Sequence, residues 1–123
     1  MGMSKFEILQ VFHKNLLEFL DILIVKLPSE KDLVNLRVLF NNTIPIEKAM
    51  EIFSKRILPY ESMVINKDER FFLDGTDLFE GVKSDKVHYF KNLWLSPTFT
   101  EDDKESLWKW FKVFLKLAQL YSK

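Results

Sequence analysis

Between Leu107 and Lys123 the polar residues are Lys109, Lys112, Lys116, Gln119, Ser122 and Lys123, and all but Ser122 recur at steps of three and four. On a helix that spacing is one narrow stripe, leaving the rest of the circumference apolar. Such a helix has to be covered by a core, a partner or a membrane. Thr100, followed by Glu101, Asp102 and Asp103, supplies a cap and sets acids against the positive end of the helix dipole.

The N-terminal stretch follows the same rule. Ser4 and Glu7 stand at capping-box spacing, and a helix to about Lys26 carries its polar stripe on Gln10, Lys14, Glu18 and Asp21. Phe6, Leu9, Phe12, Leu16, Leu20, Leu23 and Leu27, with Ile8, Phe19 and Ile22, make a wide apolar band. Between these ends, apolar residues keep a helical rather than an alternating period, punctuated by Pro28, Pro45, Pro59 and Pro97.

A second helix is predicted after Ser29 as N-cap, presenting Leu33, Leu36 and Phe40 and stopping at Asn41 and Asn42. A third begins near Pro45 with Ile46, Ala49, Met50, Phe53 and Ile57 inward and Glu51 and Lys55 outward, and ends at Pro59. A short helical turn over Tyr60 to Ile65 and a piece with Asn66 and Glu69 at cap spacing, ending near Leu73, lead to a loop from Asp74 to Lys83. A helix capped by Ser84, carrying Val87, Phe90, Leu93 and Trp94, stops at Ser96-Pro97. The expected fold is all-α, a single-domain bundle of five to seven helices over residues 1–123, with long apolar N- and C-terminal helices.

Two stretches, Pro59-Tyr60 through Ile65-Asn66-Lys67-Asp68-Glu69-Arg70-Phe71-Phe72, and Leu93-Trp94 through Asp102-Asp103-Lys104-Glu105-Ser106-Leu107-Trp108-Lys109-Trp110-Phe111, resemble small helical proteins of unassigned function encoded by nucleocytoplasmic large DNA viruses. The resemblance implies a viral protein acting in the host cytoplasm or packaged in the virion. It rests on cap and core patterns and carries no chemistry to any residue.

Composition narrows the chemistry. The 123 residues are 47% hydrophobic and include twelve Phe, three Trp and three Tyr, so flat side chains must fill an interior or a contact surface. Eighteen basic residues balance eighteen acidic ones, which leaves no long-range field to gather nucleic acid or an anionic membrane. The absence of cysteine excludes disulfides and thiol chemistry and would leave zinc with two His plus carboxylates, a composition that suits the cytoplasm. No transmembrane segment is expected, because Glu18, Asp21 and Lys26 interrupt one candidate span and Lys109, Lys112 and Lys116 the other. Met1-Gly2-Met3-Ser4 lacks the pattern of a secretory signal, Phe6 replaces the Ser or Thr of a myristoylation signal, and residues 1–3 read as disordered or as a cloning remnant.

Candidate catalytic patterns are weak. Phe72-Leu73-Asp74-Gly75-Thr76 resembles the D-x-D-G-T loop of haloacid-dehalogenase phosphatases, but Phe72 stands in place of the nucleophilic Asp, so a plain turn is expected. Asp74, Asp77 and Glu80 offer oxygen ligands without the calcium-loop pattern, since Arg70 falls where its first Asp belongs. His13 and His88 lie far apart in sequence with no H-E-x-x-H motif, and neither catalytic residues nor a cofactor or metal is assigned.

The remaining constellation is the basic amphipathic helix, with Trp108, Trp110, Lys109, Lys112 and Lys116 as the candidate interaction surface. The sequence therefore points to a non-enzymatic interaction or structural module with a protein partner of unknown identity, and two wide apolar faces in a small bundle leave room for a homodimer. The alternative is a nucleic-acid-associated regulator using the same Lys/Trp helix.

Overall fold

A computed structural model describes residues 2–73 and 84–122, the side chains of 84–86 excepted. Among them the fold is all-α: α1 Lys5–Lys26, α2 Asp32–Val38, a π-type turn Leu39–Thr43, α3 Ile46–Ile57, a 3₁₀ turn Leu58–Tyr60, α4 Glu61–Ile65, α5 Arg70–Leu73, α6 Ser84–Leu95 and α7 Glu101–Tyr121. The terminal helices are long, 22 and 21 residues, as their periodicity predicts. No helix of the described residues is long and apolar enough to cross a membrane.

The backbone divides into two compact units, Met1–Lys55 with Leu117–Lys123, and Arg56–Lys116. In the first, the Ser4 hydroxyl accepts the Glu7 N–H at 3.1 Å while Glu7 Oε1 accepts the Ser4 N–H at 3.1 Å, the reciprocal cap the spacing predicts. Ile8, Leu9, Phe12, Leu16, Phe19 and Leu20 form the buried face of α1, with Ala49 and Met50 of α3 and Leu117 and Ala118 of α7 buried in the same unit. The Phe12 and Phe53 rings meet edge-on at 5.8 Å, and the Lys5 ammonium stands 4.9 Å over the Tyr121 ring. Phe6, predicted to be inward, is 68% exposed because it lies before the first buried turn of that face.

The helix after Pro28 differs from its prediction at both ends. Its N-cap is Lys31, with no side-chain hydrogen bond, so Ser29 is not the cap. The Glu30 N–H instead bonds the Leu27 carbonyl at 3.0 Å, and that turn delays the helix to Asp32. At the far end the chain runs past Asn41 and Asn42 and closes a wide turn, the Ile44 N–H reaching the Leu39 carbonyl at 2.8 Å. Ile44 then turns extended, the conformation required of a residue preceding proline. Arg37 and Asp21 form a two-point ion pair (2.6 and 3.3 Å), and His13 Nε2 donates to the Phe40 carbonyl at 3.3 Å. Partners along α1 fall from Asp21 to His13 as the chain advances from Arg37 of α2 to Phe40 of the turn, so this segment runs antiparallel to α1.

The second unit is organised by rings. Phe72 of α5 has its centroid 5.1 Å from Phe71, 5.8 Å from Phe90, 4.8 Å from Trp94, 4.8 Å from Trp108 and 5.2 Å from Phe111. Phe71 adds Tyr60 at 6.3 Å, and Trp94 adds Phe99 at 5.6 Å. Both Phe71 and Phe72 are buried although α5 is a single turn. That turn is started by Asp68, whose Oδ1 accepts the Arg70 N–H at 3.1 Å. Asn66, predicted as the cap, instead closes α4 with its N–H on the Ser62 carbonyl, and Lys67 takes the left-handed conformation (φ 53°) that separates the two helices.

Candidate functional site

The start of α7 fixes the direction of everything that follows on it. Thr100 Oγ1 accepts the Asp103 N–H at 3.2 Å and Asp103 Oδ2 accepts the Thr100 N–H at 3.0 Å, so the first turn is pinned at both ends of a reciprocal cap. From there Leu107, Trp108, Phe111, Phe114, Leu115, Leu117 and Ala118 turn inward. The exposed residues are Glu101, Asp102, Glu105, Lys109, Lys112, Val113 and Lys116, and at 100° per residue they fall on an arc of about 120°.

The sequence-predicted surface is therefore split. Lys109, Lys112 and Lys116 share the exposed arc, within about 60° of one another. Trp108 is only 3% exposed and belongs to the ring cluster. Trp110 is half-buried and stacks on Phe114 at 6.1 Å and 30°. Sequence periodicity alone assigns both tryptophans to one amphipathic helix, and only the position of Phe72 and Trp94 against Trp108 tells them apart. Val113, 41% exposed, stands at the edge of the arc, where from sequence alone an apolar residue reads as part of the core face.

Electrostatics along the arc run in one direction. Glu101, Asp102 and Glu105 occupy its N-terminal part and the three lysines the remainder. Lys67 Nζ binds both Glu105 oxygens (2.7 and 3.0 Å), and Lys104, largely covered, lies 3.6 Å from Glu101, 3.9 Å from Glu69 and 5.3 Å over the Trp94 ring. Lys109, Lys112 and Lys116 close no salt bridge among the described residues; Lys109 and Lys112 act on Glu105 only at longer range.

Two carboxyls in this unit are held below their ordinary values. For Asp68 the main cause is the Arg70 guanidinium hydrogen bond, reinforced by the Arg70 N–H; for Glu105 it is the Lys67 hydrogen bonds, with the Lys67, Lys112 and Lys109 charges adding to them. A carboxyl with a depressed value binds its proton less readily when folded. Its contribution is present above the ordinary value, 3.8 for Asp68 and 4.5 for Glu105, and is lost as pH falls through the depressed one. Glu105→Gln should accordingly lower the thermal midpoint slightly at neutral pH, with wild type and variant converging as a melting series is carried to acid pH, below the depressed value.

Among the other candidate residues, His13 lies in the first unit on the Phe40 carbonyl, and His88 is exposed in the second. No group of three or more His, Asp or Glu among the described residues is arranged to hold a metal ion. The loop with Asp74, Asp77 and Glu80 lies outside the described residues. Comparison of the chain with protein-family models, with curated proteins and with solved structures gives no match.

Proposed function

We propose that the chain is a non-enzymatic interaction or structural module that works through protein–protein contacts on the solvated arc of α7. The observation that supports this reading is the set of three exposed lysines, three and four residues apart, that close no salt bridge of their own among the described residues. Like charges at i and i+4, as Lys112 and Lys116 are, weaken an isolated helix, and an acidic surface laid along the arc relieves them. Val113 and the aliphatic lysine stems supply the apolar part of such a contact. The resemblance of two stretches to virus-encoded helical proteins favours a partner in the host cytoplasm or virion.

The test uses the tagged chain and a triple variant, Lys109→Glu, Lys112→Glu and Lys116→Glu, as baits in the native cell or virion. A partner retained by the wild type and lost by the variant is expected; the same proteins on both baits would overturn the reading. The nucleic-acid alternative uses the same lysines, but buried Trp108 presents no ring face for stacking. A lysine-dependent mobility shift on single- or double-stranded DNA at low salt would decide for that alternative.

A further inference from the structure

The charge order along α7 is self-complementary. Glu101, Asp102 and Glu105 precede Lys109, Lys112 and Lys116 on one exposed arc, so in a second copy laid against it in the opposite direction acids face bases, two of the three acids in either of two registers. A two-fold axis crossing the helix at the level of Leu107 sets Glu105 against Lys109, and Asp102 against Lys112, of the second copy. Moved to between Trp108 and Lys109, it sets Glu105 against Lys112 and Glu101 against Lys116 of the second copy. Both registers pair opposite charges and neither sets like charges opposite one another.

Helix-local physics explains only part of this order. The dipole accounts for acids in the first turn, but the lysines lie in the middle of a helix that continues to Tyr121, and its last turn holds no basic residue. Glu105 and Lys109 have the i, i+4 spacing of an intrahelical pair, yet Lys112 and Lys116 have no acid four residues before them on the arc. A partner that runs antiparallel supplies those acids. Lys67 on Glu105 does not block this arrangement, because an ionised carboxylate accepts at about four lone-pair positions.

We infer that the exposed arc of α7 is a homotypic contact, pairing two copies antiparallel through Glu101, Asp102 and Glu105 of each against Lys109, Lys112 and Lys116 of the other. This rests on the α7 contact reading above and adds that the partner is a second copy. The pairs are solvent-exposed and the apolar share is small, so the dimer is weak and salt-sensitive, forming at low ionic strength and dissociating where the Debye length shrinks to about 3 Å.

Sedimentation equilibrium of the full chain tests it, with two charge-reversed variants, Lys112→Glu/Lys116→Glu and Glu101→Lys/Asp102→Lys. Wild type is expected to dimerise at low salt and to be monomeric in about 1 M salt. Each variant alone should self-associate at least about tenfold more weakly. Mixed in equal amounts, the acidic and basic variants should pair with each other, a recovery that misfolded chains cannot give. A wild type that stays monomeric at low salt, variants that dimerise like the wild type, or a mixture without recovery would each overturn the homotypic contact. If a foreign protein is still captured in a lysine-dependent way, the broader interaction reading survives that failure; if nothing is captured, both fall.

Discussion

Phe72→Ala is expected to destabilise the folded chain by about 4 kcal/mol, enough to lower the melting midpoint by roughly 15 °C in a domain of this size. The side chain is 2% exposed, and its ring is surrounded by Phe71, Phe90, Trp94, Trp108 and Phe111 at centroid distances from 4.8 to 5.8 Å. Truncation forfeits the transfer energy of the ring and leaves a hole whose walls are themselves rigid rings, a poor setting for collapse. Aromatic pairs contribute about 0.5–1.5 kcal/mol each beyond their burial, and several vanish at once. Phe72→Leu keeps most of the volume and should cost less, about 1–2 kcal/mol. Urea unfolding of the three proteins measures this: the midpoints should fall in the order wild type, Leu, Ala with unchanged slope. A loss below about 1 kcal/mol for alanine would show that the ring cluster is not the core of its unit.

The same residue shows how far the sequence was legible. Periodicity and caps give α1 and α7 nearly to the residue, because a 22-residue and a 21-residue amphipathic pattern averages over local accidents and because Ser4–Glu7 and Thr100–Asp103 close real capping bonds. Short elements are placed, with α4 Glu61–Ile65 and α5 Arg70–Leu73 where the short turn and the piece ending near Leu73 are expected, but their caps and burial are not legible. At Phe72 the local reading sees the end of a short helical piece and a displaced catalytic motif, whereas the burial of α5 is decided by rings 18 to 39 residues away in α6 and α7. At Ser29 and Asn66 a good capping residue loses to the turn geometry of its neighbours: a bond from Glu30 to Leu27, and a left-handed Lys67 that hands the cap to Asp68. The lysines of the α7 surface were legible because a solvated stripe is a property of one helix. Which tryptophan accompanies them was not, because that depends on what packs against the other side.

Phe12→Ala and Phe6→Ala separate burial from chemistry on a single helix. The two residues sit in α1, have the same side chain and lie in the same apolar band when the sequence is read alone. In the fold, Phe12 is 0% exposed and packs edge-on against Phe53 at 5.8 Å, while Phe6 is 68% exposed. Phe12→Ala should therefore cost about 3–5 kcal/mol, a large share of the ~5–15 kcal/mol that holds a typical domain together. Phe6→Ala removes little buried area and improves helix propensity by a few tenths of a kcal/mol, so its stability should stay within about 0.5 kcal/mol of the wild type. Denaturant unfolding of both variants decides the matter. Equal losses would mean that Phe6 is covered in solution, and since its own unit leaves it bare, the cover would have to come from outside that unit. Sedimentation of Phe6→Ala would then show whether it is a second copy, and because Phe6 lies outside the α7 arc, dissociation in that variant would move the homotypic contact to the start of α1.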